Sequence, residues 1–174
     1  AKKKGLRTIA VCNVIGSTIA READTALFTY AGPEIAVAAT KSYVTQLAVL
    51  YLLALDLAVK RGKMDFEALA TRLGEMERIP EKMQHILDSR EKIQYFASRA
   101  FSSKHVFFIG RGFDCALSME AALKLKEISY IHSEAYAAGE LKHGTIALIE
   151  EGVLVVAIAT QPELAAKMAS SMEE

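Results

Sequence analysis

The stretch that decides the fold is HVFFIGRG, residues 105–112, a short apolar segment that ends in Gly110-Arg111-Gly112. Aromatic and β-branched residues bounded by glycines are typical of a buried strand, and helical character begins at about Asp114. A strand that turns through glycines into a helix is the repeating unit of open parallel sheets. The stretch therefore predicts an α/β protein with helices on the faces of a parallel sheet.

Further strands and helices are predicted on both sides of this stretch. Short apolar runs predict strands over residues 7–12, 26–29, 105–109 and 153–159. Helical spacing and capping residues predict helices over residues 34–61, from Asp65, from Pro80 to Ala100, from Asp114 and from Pro162. The alternation of the two kinds of element favours parallel sheets covered by helices.

The net charge and the cysteine content argue against several kinds of binding partner. The 174 residues carry 21 basic and 21 acidic side chains, so the formal net charge is zero at pH 7. No overall field draws such a chain toward nucleic acid or an anionic membrane, and we expect neither as a partner. Cys12 and Cys115 are isolated in the sequence, which argues against a disulfide framework and a structural zinc site. We expect a cytoplasmic protein that recognises its ligand locally.

Residues 43–59 form the most membrane-like segment of the chain. They are rich in Leu and Ala, but Thr45, Gln46 and Asp56 interrupt the apolar run. The run is shorter than the roughly 20 apolar residues that a bilayer requires. We interpret the segment as a helix that is buried or lies in a subunit interface.

The densest group of titratable residues surrounds Glu127. In a helix, Glu120, Lys124 and Glu127 are spaced i, i+4 and i+7 and project from one stripe. A solvated row of salt bridges is the simplest interpretation, but the bordering residues are mostly Ala, Leu and Ile, which favours a partly buried stripe. A carboxylate beside an ammonium in such a site can move protons near neutral pH. Glu127 is therefore the candidate base, with Lys124 as its electrostatic neighbour.

The histidines differ in their surroundings. His143 lies in a glycine-flanked turn, which makes it a candidate acid or base. His85 and His105 show no comparable context, and His132 is expected to have a hydrogen-bonded structural role. The Gly110–Gly112 turn is a fragment of G-x-G-x-x-G, so ligand contact and a tight structural turn both remain open there.

Three segments carry a resemblance to a known family. KLKEISYIHSEAYAAGELKHG (residues 124–144) resembles the signature of the isomerase part of the glutamine:fructose-6-phosphate aminotransferases, or glucosamine-6-phosphate synthases. CNVIGSTIAREAD (residues 12–24) and AGPEIAVAATKSYVTQL (residues 31–47) resemble stretches of that family's first sugar isomerase (SIS) domain. The resemblance implies a three-layer αβα SIS fold, Rossmann-like, with two partial SIS domains joined by helices. The implied parts are the end of the first domain (residues 1–62), a helical connector (63–100) and the start of the second domain (101–174).

The resemblance also implies an activity and a set of site residues. The family forms glucosamine 6-phosphate from fructose 6-phosphate and ammonia, which a glutaminase domain releases from glutamine, and it needs no metal or organic cofactor. By resemblance, Glu127 moves a proton between C1 and C2 of the sugar imine, and Lys124 and Glu120 support it. His143 matches the histidine of ring opening, which is shared across the subunits of a homodimer. The implied substrate-binding residues are Val37, Ala39 and Thr40.

The sequence departs from the family pattern in places. Ala39 stands where the family has serine, so a polar contact near the sugar is expected to be lost. The family's phosphate-binding loop would precede residue 1, and its Schiff-base lysine would follow residue 174. We therefore expect the chain alone not to complete the synthase reaction.

Three alternatives remain open at the level of sequence. A sugar-phosphate sensor on the SIS fold has no need of a buried Glu127–Lys124 pair. An amino-sugar deglycase or deaminase would share the chemistry of Glu127 and His143 on another substrate. An assembly role would rest on the apolar helix over residues 43–59.

Overall fold

The computed structural model describes residues 1–173, which form two compact units. The first unit is Ala1–Arg90, and the second begins at Glu91. Each unit contains a parallel sheet, in agreement with the predicted α/β class.

The first unit contains a two-stranded parallel sheet and four α-helices among the described residues. Strand β1 (Ile9–Cys12) pairs with β2 (Thr25–Phe28), and helix α1 (Thr18–Glu22) lies between them in sequence. The unit continues with helices α2 (Lys41–Lys60), α3 (Phe66–Glu77) and α4 (Ile79–Asp88). The predicted cap at Asp65 is confirmed, since the Ala68 N–H donates to Asp65 Oδ1 at 2.8 Å.

The predicted start of α2 is wrong by seven residues. A helix was expected from Glu34, but residues 33–40 are irregular and the helix begins at Lys41. Two side chains replace the missing turns: Glu34 Oε2 accepts from the Ser42 N–H at 3.3 Å, and Lys41 Nζ donates to the Pro33 carbonyl at 2.6 Å. These bonds close a loop before the helix, so local contacts outweigh the helix propensity of this Ala-rich segment.

Helix α2 contains the segment that was expected to be buried or to lie in an interface. None of its residues is buried within the described chain, so the prediction of a core helix is wrong here and the interface interpretation stays a prediction. Among the described residues, α2 is the one helix long and apolar enough to cross a membrane. One such helix is weak evidence for a membrane span.

The second unit is built on a three-stranded parallel sheet. Strand β3 (His105–Gly110) is central, with β4 (His132–Ala137) on one side and β5 (Leu154–Ile158) on the other. The helices are α5 (Arg90–Ala100), α6 (Phe113–Ser129) and α7 (Pro162–Glu173). The strands over residues 105–109 and 153–159 were predicted within one residue at each end, and both pairs of neighbouring strands in this sheet are parallel, as the alternation of strands and helices predicted.

Two further regions differ from the prediction. The single helix expected from Pro80 to Ala100 is broken at Ser89 into α4 and α5. The Ser89 hydroxyl donates to the His85 carbonyl at 3.2 Å, a local bond that competes with a continuing helix. No strand was predicted over β4, because its exposed positions carry polar side chains and its inner ones are small.

The core of the second unit lies on the face of the sheet opposite α6. Ile109, Ala138, Leu141 and Met168 form a buried apolar cluster. Leu141 belongs to a short 3-10 helix, Leu141–His143, which is thereby anchored to the sheet. This anchor holds the turn that carries His143.

Candidate functional site

The charged stripe lies on the side of α6 that is turned away from its own sheet. The helix packs on β3 and β4 through three buried residues spaced four apart, which are Asp114, Ser118 and Ala122. Glu120 and Lys124 follow Ser118 and Ala122 by two positions, about 200° around a helix. The stripe is therefore free of the sheet contacts that fix the rest of α6.

The stripe is a chain of two ion pairs centred on Lys124. The Lys124 Nζ donates to Glu127 Oε2 at 2.6 Å and lies 3.5 Å from Glu120 Oε1. The side chains of Glu120 and Lys124 are 21% exposed and that of Glu127 is 29% exposed. Pairs that are this much withdrawn from water interact more strongly than fully solvated ones. The structure thus brings together three of the four predicted catalytic residues.

The ammonium at the centre of the stripe is held in its charged form. The hydrogen bond to Glu127 and the negative charges of Glu127 and Glu120 raise the pKa of Lys124, and partial burial opposes them. Lys124 therefore stays protonated at neutral pH and supplies a fixed positive charge beside both carboxylates.

The expected apolar walls of the stripe are only partly present. The bordering side chains of Leu117, Leu123 and Ile128 are 39%, 42% and 67% exposed. The prediction took the Ala and Leu positions of α6 as its buried face, whereas the helix packs on the sheet through small and polar residues. Close packing of a helix on a sheet favours such small residues, which explains the error.

The Gly110–Gly112 turn has a structural reason for its glycines. A Cβ at Gly110 would lie 2.3 Å from the backbone C and O atoms of Asp114, and Gly112 has a φ of 56°. Gly112 occupies the left-handed region that other residues rarely adopt. These contacts favour the interpretation of a tight strand-to-helix turn over that of a ligand-binding loop.

A hydrogen-bonded connection at the carboxyl ends of β3 and β5 was missed in the sequence. Asp114 is 3% exposed, and its carboxylate accepts from the Thr160 N–H at 2.7 Å and from the Thr160 hydroxyl at 2.5 Å. The hydrogen bonds from Thr160 and Gln161 hold the pKa of Asp114 below its usual value, against the opposing effect of burial. The available signal was an acidic residue just after the glycine turn and a Thr shortly after the last predicted strand, β5.

Loss of this carboxylate should destabilise the second unit. We expect Asp114→Asn to lower the free energy of unfolding at neutral pH, because the charge-assisted bonds to Thr160 are weakened. The pKa of Asp114 is lower in the folded state, so its contribution is present above the unfolded value near 3.8 and is lost as pH falls below it. Urea unfolding at neutral and at acidic pH measures this, and a gap between variant and parent that widens in acid would contradict it.

Arg111 fills the space beside the same turn. Its Nη2 donates to Ser171 Oγ at 2.7 Å, and an added Cβ at Gly139 would lie 3.2 Å from Nη1. The guanidinium of Arg111 therefore occupies the space that a side chain at Gly139 would need.

His143 is exposed at the end of its short 3-10 helix. The backbone N–H of His143 donates to the Glu140 carbonyl at 3.0 Å, while Leu141, two residues before it, is buried. Within the part of the chain that the structure describes, no hydrogen bond or ion pair joins the His143 ring to Glu120, Lys124 or Glu127. The imidazole is therefore presented outward from a fixed backbone.

The predicted substrate-binding residues belong to the first unit. Val37 is 92% exposed, Thr40 is exposed and Ala39 is half-buried, all in the irregular segment before α2. The loop is held by the bonds from Lys41 and to Glu34, so its backbone is ordered although its side chains are accessible. Over residues 1–173, no group of three or more His, Cys, Asp or Glu side chains is arranged to hold a metal ion.

A family model described as the SIS domain matches residues 1–56 and 101–172. Two proteins named glutamine–fructose-6-phosphate aminotransferase (isomerizing) are similar over all 174 residues. The one from Caldanaerobacter subterraneus subsp. tengcongensis is 58% identical, and the one from Clostridium tetani is 56% identical. The chain corresponds to 29% of each of these proteins, so it spans less than a third of their length.

A solved structure is also similar to the chain. The C-terminal domain of glucosamine-fructose-6-phosphate aminotransferase from Francisella tularensis superposes with a TM-score of 0.94 at 36% sequence identity. The match covers 99% of this chain and 49% of that one.

Proposed function

The chain belongs to the SIS domain family, and from that premise we propose that it is the sugar-isomerising part of a glutamine:fructose-6-phosphate aminotransferase. In this reaction, fructose 6-phosphate and glutamine-derived ammonia yield glucosamine 6-phosphate. The observation that carries the proposal is the Glu120–Lys124–Glu127 stripe, withdrawn from water and fixed by ion pairs of 3.5 and 2.6 Å. The similarity to the Caldanaerobacter and Clostridium proteins supports it.

The proposed chemistry needs one base that works on two neighbouring carbons. Ammonia condenses with the C2 carbonyl of the open sugar and releases water, which leaves an imine at C2. The Glu127 carboxylate then removes a proton from C1. The electron pair of that C–H bond forms a C1–C2 double bond, and the π pair of the C=N bond moves onto nitrogen. Return of the proton to C2, with transfer of the C1 hydroxyl proton to nitrogen, gives the amino aldose. A carboxylate next to both carbons suits this shuttle.

Lys124 is assigned a positioning role in this scheme. Its ammonium lies between the two carboxylates and is held charged by them. It fixes the rotamer of Glu127 through the 2.6 Å hydrogen bond and offsets the charge of the stripe when the base is unprotonated. Glu120 in turn holds Lys124 from the other side.

Ring opening is assigned to His143, which would act in the neighbouring subunit of a homodimer. Its outward position on an anchored turn supports this assignment. Val37, Ala39 and Thr40 would lie along the sugar. The proposal includes a glutaminase domain as the source of ammonia and a cytoplasmic location, which agrees with the free state of both cysteines, Cys12 and Cys115.

The same proposal describes the domain organisation. Residues 1–62 would be the C-terminal part of a first SIS domain, and residues 101–174 the N-terminal part of a second. Residues 63–100 would form a helical connector between them. The two matched segments of the family model and the two parallel sheets support this division.

A chimera tests the proposed function. The chain would replace the matching 174 residues of the Caldanaerobacter relative, and glucosamine 6-phosphate formation from fructose 6-phosphate and glutamine would be measured. We expect turnover comparable to that of the unmodified relative. A folded chimera that makes no product, or one that only releases ammonia from glucosamine 6-phosphate, would contradict the proposal and favour the deaminase alternative.

The ion pairs of Lys124 give a second test in the same chimera. We expect Lys124→Met to lower kcat about a hundredfold, because Glu127 loses its positioning partner. Lys124→Arg should restore part of the loss, since it keeps the charge. The exposed Lys126 on the same helix gives the matched control, Lys126→Met. Equal kcat values for Lys124→Met and Lys126→Met would exclude the positioning role.

A further inference from the structure

Two histidines face each other on the sheet surface away from α6. His105 begins β3 and His132 begins β4, and the strand register places them directly opposite one another. Their Nδ1 atoms are 3.2 Å apart, and the rings meet at 77° with centroids 5.3 Å apart. His105 is exposed and the side chain of His132 is 55% exposed. Neither His105 nor His132 belongs to the candidate catalytic residues, which are the stripe on α6 and His143.

We propose that His105 and His132 form a two-histidine site for a divalent late transition metal ion such as Zn²⁺. Both ligands are Nδ1 atoms, and water completes the coordination sphere. The site goes beyond the proposed aminotransferase function and does not depend on it.

The spacing of the two nitrogens fits this ligand geometry. With Zn–N bonds of about 2.05 Å, two imidazole nitrogens lie about 3.3 Å apart at a tetrahedral angle and about 2.9 Å apart at a right angle. The observed 3.2 Å lies between these values. Because a ring can rotate about its metal–nitrogen bond, the steep angle between the rings does not oppose chelation. Binding would displace the single hydrogen that now joins the two nitrogens, and the ion would lie to one side of the line between them.

The carboxylate of Glu134 lies beside Nε2 of His132 and favours Nδ1 as the ligand atom. His132 Nε2 lies 3.4 Å from Glu134 Oε1, and the Tyr136 hydroxyl donates to the other oxygen of Glu134. The carboxylate favours the proton on Nε2 and so leaves the lone pair of Nδ1 available. Metal-bound histidines commonly have such a carboxylate on the second ring nitrogen.

The donor set also selects the class of ion. Imidazole nitrogens suit Zn²⁺, Cu²⁺ and Ni²⁺, whereas Mg²⁺ and Ca²⁺ prefer oxygen ligands. With two protein ligands the site is open and exchangeable. A structural zinc site has four, so this one does not revise the expectation that structural zinc is absent. Binding would join the first residues of β3 and β4 and stabilise the second unit in proportion to occupancy.

Calorimetric titration of the 174-residue chain with Zn²⁺ tests the proposal. We expect one ion per chain. His105→Gln and His132→Gln should each weaken binding by more than tenfold, and Glu134→Gln should weaken it about tenfold through the lost support of His132. The exposed His85 on α4 provides the matched control, since His85→Gln should bind Zn²⁺ as the parent does.

The second readout is thermal unfolding with and without Zn²⁺. The ion should raise the Tm of the parent and of His85→Gln, and leave that of the His105→Gln/His132→Gln double variant unchanged. Circular dichroism confirms that the variants are folded, which is expected because both imidazoles are exposed. No binding by the parent, or affinity unaffected by the double substitution, would overturn the proposal. Loss of binding on substitution of Cys12, Cys115 or His143 would assign the ion elsewhere and overturn it equally.

Discussion

Glu127→Gln should lower the isomerising kcat of the chimera by about a hundred- to ten-thousandfold, the range that removal of a general base produces. The amide of the introduced glutamine cannot take up the C1 proton, although the side chain keeps nearly the same size. Its oxygen can still accept a hydrogen bond from Lys124. The 2.6 Å contact between Lys124 and residue 127 should therefore persist in a weaker, uncharged form. Binding of the sugar should change less than kcat, since the base acts in the proton-transfer step.

The control for this variant is a carboxylate on another helix. Glu163 lies exposed in the first turn of α7, so Glu163→Gln should leave kcat unchanged. Glutamine hydrolysis, measured as glutamate release, should also continue in the Glu127→Gln chimera. A kcat within a few-fold of the parent value would remove Glu127 from the mechanism.

Gly110→Ala should destabilise the second unit by roughly 3 kcal/mol or more, the upper range for overpacking at a site that cannot relax. The new Cβ would lie 2.3 Å from backbone atoms of Asp114 and 2.7 Å from the Cys115 nitrogen. Backbone atoms at the start of α6 cannot move aside as a flexible side chain can. The shift would also disturb the Asp114–Thr160 hydrogen bonds, which depend on the same turn.

The chain offers a glycine of opposite character as the control. Gly74 lies inside α3 with no atom within 4 Å of an added Cβ, so Gly74→Ala should stabilise its helix by about 0.5–1 kcal/mol. Urea unfolding followed by circular dichroism measures both variants. If Gly110→Ala is as stable as the parent, the claim that this turn leaves no room for a side chain at Gly110 is wrong.

Strand β3 could be predicted because its residues are buried on both faces of the sheet. In β3, Val106, Phe107 and Ile109 are buried, and this run is visible in the sequence as an unbroken apolar segment. Strand β4 lacks that signal. Its Ser133 is buried against α6, where its hydroxyl donates to the Ala122 carbonyl, while His132 is exposed. A strand with a polar outer face and small inner residues resembles a loop in the sequence.

The stripe on α6 could be predicted because it depends on helical spacing alone. Glu120, Lys124 and Glu127 needed only the helix to come together, and their ion pairs follow from that geometry. The buried face of the same helix could not be predicted, because Ser118 and Ala122 are buried through contacts with a sheet that is distant in sequence. The Asp114–Thr160 bonds join residues 46 positions apart and were missed for the same reason.

Hydrogen exchange at C1 of fructose 6-phosphate tests the proton shuttle most directly. In deuterium oxide with ammonia or glutamine present, the parent chimera should place deuterium at C2 of glucosamine 6-phosphate and exchange the C1 hydrogen of the sugar, as detected by NMR. The Glu127→Gln chimera should show neither signal while it still hydrolyses glutamine. Exchange at the parent rate in that variant would contradict the assignment of Glu127 as the base.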